Sequence, residues 1–238
     1  MFSPYIASNY WQIAALAAVV ATSAAPAQAI LVSDTSGFGN PIVTSNYNPI
    51  PNDTFSPGPL LFETSNGDLV EFTSTNTTAQ GGSVINYSGG YGFDSNGLWD
   101  SGLSMAGLNA PAGYMDFKFL GNPVSAVGGF LNYAPGNFDD MYISALDING
   151  NILESYDLSF STSGSNSGAS FYIQRNSFDI ATFRVGDSYA GIANFTYNAV
   201  PVPGPLPILG VAASFGYSRK LRKRIKSSKP EVISTTAL

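Results

Sequence analysis

Between Tyr114 and Phe119 every second side chain is fully apolar: Met115, Phe117 and Phe119 alternate with Tyr114, Asp116 and Lys118. Successive side chains of an extended backbone point to opposite faces, so this period of two assigns Met115, Phe117 and Phe119 to a core. Phe183 and Val185 repeat the device around Arg184. No apolar pattern of helical period runs beyond two turns in the central part of the chain. Asn66-Gly67 and Asn149-Gly150 each divide two strand-like runs. Asn-Gly suits a type I′ hairpin turn, where both central residues need positive φ. Further strands are expected at 84–87, 114–120, 124–133, 170–174, 180–185 and 191–198. Roughly ten short strands without crossover helices predict an all-β fold, an antiparallel β-sandwich or jelly roll. The Ser-rich stretch 161–170 reads as an exposed loop.

The charges are split along the chain. Fifteen of the sixteen acids precede residue 200, whereas seven of the ten Lys and Arg follow it. Only Lys118, Arg175 and Arg184 are cationic in the body. So acidic a body repels phosphates, because nucleic-acid binding depends on Lys and Arg displacing counterions; a nucleic-acid partner is excluded. The basic end suits an anionic lipid surface. The chain has no Cys and no His. That removes disulfides, thiolate nucleophiles, the Ser-His-Asp arrangement and His-based metal sites. No cofactor is expected.

The two ends carry addresses. Ile13 to Ala25 is a run of small apolar residues, and Ala27-Gln28-Ala29 follows with the A-x-A spacing of signal peptidase cleavage. Residues 1–29 therefore read as a signal peptide containing a helix, and 30–198 as the β-sandwich domain. At the other end, Pro201, Pro203, Pro205 and Pro207 favour extended chain. Leu206 to Tyr217 is apolar or small, well short of the ~20 residues a helix needs to cross a bilayer. The basic cluster Arg219, Lys220, Arg222, Lys223, Arg224 and Lys226 follows, and such charges stay on the cytoplasmic side. A short apolar helix with a strong basic stop suits transient anchoring in the inner membrane. Residues 230–238 read as a disordered tail.

"VPVPGPLPILGVAASFGYSRKLRKRIK", residues 200–226, resembles a PEP-CTERM sorting signal. Val202, Pro203, Gly204 and Pro205 occupy the motif, with Gly where the name-giving form has Glu, as in the Pro-Gly-Pro variant common in cyanobacteria. The resemblance implies export, recognition by an exosortase-type membrane protease, removal of the tail, and release to the cell surface or outside. Signal peptidase and the exosortase-type protease would be the partners during export. Residues 122–198 also resemble the bodies of exported PEP-CTERM proteins, which implies a jelly-roll-like architecture and no activity. The expected function is that of a non-enzymatic cell-surface or extracellular-matrix protein.

Two constellations carry possible chemistry. Asp139 and Asp140 follow a loop and precede a strand; neighbouring carboxylates there are candidate calcium ligands, or two solvated acids. Trp99, with Tyr91, Tyr87 and Phe93 nearby, lies in a Gly-rich polar stretch. Such rings stack on sugars, which makes Trp99 and Tyr91 candidate glycan contacts and exopolysaccharide the alternative partner. The other reading is that these rings fill the core. Glycoside hydrolysis needs two acids across a cleft, and no linear motif selects a pair. Lys118, in an alternating strand, is expected to face solvent.

Overall fold

A computed structural model describes residues 29–76, 83–100, 102–135 and 140–200. The expected signal helix, sorting motif, basic cluster and tail lie outside them. The strands are β1 (Ala29–Val32), β2 (Pro41–Thr44), β3 (Thr54–Phe55), β4 (Leu60–Glu63), β5 (Leu69–Ser74), β6 (Val84–Tyr87), β7 (Tyr91–Gly92) and β8 (Leu98–Trp99). They continue with β9 (Met105–Gly107), β10 (Tyr114–Phe119), β11 (Ala126–Asn132), β12 (Met141–Leu146), β13 (Ile152–Leu158), β14 (Ala169–Arg175), β15 (Thr182–Gly186) and β16 (Gly191–Asn198). No α-helix occurs among the described residues.

Two antiparallel sheets share one core. The larger has the order β1-β14-β11-β16-β9-β6-β3, with β2 also pairing β16; the second runs β13-β12-β15-β10-β5-β4. A short ribbon, β7-β8, stands apart. The inner face of the second sheet supplies Val70, Phe72, Met115, Phe117, Phe119, Phe183 and Val185. The larger sheet answers with Val127, Leu131, Ile173, Ile192, Phe195 and Tyr197. The Phe195 ring lies 5.0 Å from Phe117 and 5.9 Å from Phe119, centroid to centroid. Such ring pairs add about 0.5–1.5 kcal/mol each to the burial of their area. The alternation in β10 is realised as expected: its apolar residues are buried and Lys118 is exposed.

Both Asn-Gly hairpins form, β4–β5 and β12–β13, but their turns differ from the type I′ expectation. Only the glycines have positive φ, 84° at Gly67 and 82° at Gly150. Gly67 N–H donates to Thr64 O and Gly150 N–H to Asp147 O, at 2.9 and 3.0 Å. This is a type I turn closed by a left-handed glycine. The residue that opens each turn explains the choice. Asp147 accepts from the backbone N–H of Asn149 and Asn151, and Thr64 Oγ1 from that of Asp68. Side-chain bonds of this kind hold the intervening residues in right-handed geometry.

The register fixes where the chain enters and leaves. Ile30 pairs with Gln174, Gln174 with Ala126, and Ala126 with Asn198. These four residues form one cross-strand row. Entry at Ala29 and exit at Val200 therefore lie at the same pole, about three strand spacings or roughly 15 Å apart. The 64–68, 120–125, 147–151 and 176–181 connections cap that pole.

Candidate functional site

Trp99 is fully buried, which overturns the reading of its ring as a sugar platform. It stacks on Phe130 at 5.6 Å and meets Phe93 edge-on at 4.8 Å. Its indole N–H donates to Ser167 O at 2.7 Å. That bond pins the Ser-rich segment 161–170, much of whose surface stays open, onto the body. Tyr91 is half-buried beside this cluster, and its hydroxyl donates to Leu108 O at 3.0 Å. Burial pushes that hydroxyl well above the usual tyrosine range. Trp99 therefore offers no free ring face to a ligand. The local cause is the β7-β8 ribbon, which folds Phe93 and Trp99 inward against Phe130 and Ala193.

Asp140 is exposed and accepts a hydrogen bond from the Tyr133 hydroxyl at 3.3 Å. Asp139 lies outside the described residues, as do Val202 to Pro205 and Arg219 to Lys226. Among the described residues, no three His, Cys, Asp or Glu come together as a metal would require.

The arrangement that gathers polar and aromatic groups is the outward face of the second sheet. Its strands build three cross-strand rows. Asp157, Tyr142, Gly186 and Tyr114 form the first; Ser155, Ser144, Arg184, Asp116 and Thr73 form the second. Leu146, Thr182, Lys118 and Glu71 form the third. Asp116 takes both its hydrogen bonds from Arg184, at 2.7 and 2.8 Å. The guanidinium also lies 3.5 Å from the Tyr114 ring centre. A β-carbon at Gly186 would collide with the Tyr142 ring, so the ring lies against the backbone there. Burial, with Asp187 adding to it, raises the Tyr142 hydroxyl above its ordinary value and keeps it neutral. Beside these groups runs a groove of about 300 Å³ lined by Asp116, Lys118, Asp147, Asn149, Thr182 and Arg184 among others.

Lys118 makes no ion pair among the described residues, whereas Arg175 and Arg184 are both paired. Arg175 is buried at the C-terminal end of β14, where it bridges Glu154 at 3.1 Å and Asp179 at 2.8 Å. The sequence signal for the outward face was present in the alternation that sends Tyr114, Asp116 and Lys118 outward. It could not show that Arg184 and Tyr142 join them.

Compared with protein-family models, with curated proteins and with solved structures, the chain matches none.

Proposed function

We propose that this chain is an exported, non-enzymatic protein of the cell surface or extracellular matrix. Its body is a jelly-roll-like β-sandwich, flanked by an N-terminal signal helix and a short apolar C-terminal helix. The C-terminal segment, Val202-Pro203-Gly204-Pro205 with the apolar run and the basic cluster, acts as a sorting signal for an exosortase-type protease.

One observation carries this reading: Ile30 and Asn198 share a single row across the larger sheet. Both segments read as membrane-engaged thus leave the body at one pole and reach one bilayer without spanning it. Ends at opposite poles would be separated by a strand length, about 27 Å for the eight residues of β16. The charge split supports the same orientation, an acidic body outside and a basic stop inside.

Mass spectrometry of the protein recovered from outside cells tests the proposal by defining both termini. A mature N-terminus close to Ile30 and a C-terminus short of Arg219 are expected. An uncut 238-residue chain in the cytosol would overturn it.

A further inference from the structure

We infer that the outward face of the second sheet, centred on Tyr142, Arg184 and Lys118, binds a neutral polysaccharide chain. Binding there depends on the folded body alone and holds whatever route the chain takes through the cell.

The Tyr142 ring lies against the backbone at Gly186, where a side chain would displace it. The residue is half-buried, so part of its side chain stays open to solvent. A flat ring seated on a sheet offers a sugar an apolar surface for its C–H groups. Tyr114 sits opposite the same glycine on the other flanking strand. The backbones of the two tyrosines are therefore two strand spacings apart, roughly 10 Å, and the Tyr142 ring leans over the glycine between them. Between them the Arg184 guanidinium is held in plane by Asp116 and by the Tyr114 ring beneath it. A donor fixed in this way loses little freedom when it meets a ligand hydroxyl.

Sugar hydroxyls both donate and accept, so a site for them needs both kinds of partner. Lys118 donates, exposed and without an ion pair among the described residues; Glu71, opposite it on β5, accepts. The groove leads from Lys118 to Asn149 at the tip of the β12–β13 turn. Charge chooses among glycans. The cations of the face are balanced by Asp116 and Glu71, and the body around them is strongly acidic. A polyuronate would be repelled on approach, whereas a neutral chain is not.

Affinity electrophoresis of the full-length chain tests this, in gels carrying a mixed-linkage β-glucan, dextran, galactomannan or alginate. Retardation by at least one of the neutral polymers is expected. Tyr142→Ala should weaken it roughly tenfold and Lys118→Ala roughly threefold. Because Lys118 is exposed, its variant should fold normally and decides the matter if Tyr142→Ala does not fold. Retardation by none of the neutral polymers, retardation by alginate alone, or wild-type mobility of the folded variants would overturn the inference. So would light scattering that found a dimer of the wild type dissociated by Lys118→Ala, which would assign the face to a second copy of the chain.

Discussion

Asp116 and Arg184 meet side by side across β10 and β15, joined by two hydrogen bonds of 2.7 and 2.8 Å. Both are largely shielded, and the guanidinium is closed from beneath by the Tyr114 ring. Partial burial and fixed geometry separate this pair from surface ion pairs, which are worth little. Asp116→Asn keeps the shape and removes the charge. It should cost about 1–2 kcal/mol, read as a lower denaturant midpoint at unchanged slope. A midpoint equal to wild type would mean that the pair contributes nothing. Arg184→Lys should also destabilise, since an ammonium cannot make the two-pronged contact.

The burial of Trp99 can be read spectroscopically. The chain has two tryptophans, Trp11 and Trp99, and a protein cut after Ala29 keeps only Trp99. Its emission should be blue-shifted and nearly insensitive to iodide. Ready quenching would show the indole to be open to solvent. Trp99→Ala should cost about 3–5 kcal/mol, because it empties a packed aromatic site and leaves Ser167 O with Asn132 Nδ2 as its remaining donor.

Acid should weaken the fold in part through Asp179. Burial pushes its carboxyl up, but the Arg175 and Ser177 hydrogen bonds outweigh that and hold it below the usual range. A depressed folded pKa stabilises above the unfolded value of about 3.9 and is lost as pH falls through the folded value. Stability should therefore decline below about pH 4, and Asp179→Asn should flatten that acid limb. A variant whose midpoint keeps the wild-type pH dependence would exclude Asp179 from it.

Alkali acts through buried tyrosines. Burial raises the hydroxyls of Tyr47, Tyr91 and Tyr197 well above the ordinary value, and for Tyr197 the Asp68 carboxylate adds to it. A raised folded pKa stabilises fully below the unfolded value of about 10 and is lost as pH rises beyond it. Tyrosinate absorbance should accordingly appear in two phases, exposed rings first and the buried group together with unfolding. A single phase complete before the loss of near-UV circular dichroism would contradict the burial.

Gly150 isolates a backbone effect. Its φ is 82° and no atom stands near the place of a β-carbon, so Gly150→Ala changes little but conformational strain. A loss of about 1 kcal/mol is expected, and less for Gly150→Asn, which tolerates left-handed geometry. Equal stability of all three proteins would mean that the turn is not held as described.

Much of the local structure was legible. The strands at 84–87 and 191–198 have the bounds expected from sequence, and both Asn-Gly hairpins are present. The turn type was not legible, because Thr64 and Asp147 decide it from outside the dipeptide. Nor was the fate of Trp99, whose hydrogen-bond partner Ser167 lies 68 residues further along the chain. A Gly-rich polar neighbourhood made the ring look exposed. The segment that covers it is itself polar and carries no apolar signal.

Which side chains of a strand share a face was settled by the sequence alone, since covalent geometry turns each successive residue over. Tyr114, Asp116 and Lys118 were bound to lie together whatever β10 paired with. Which strands became neighbours was decided only by the tertiary structure, because pairing depends on burying both sheets over one core and closing hydrogen bonds between distant segments. That choice set β15 beside β10 and β12 beyond it, bringing Arg184 onto Asp116 and Tyr142 onto Gly186. It also laid Ile30 and Asn198 in one row, so that the two ends of the body emerge together.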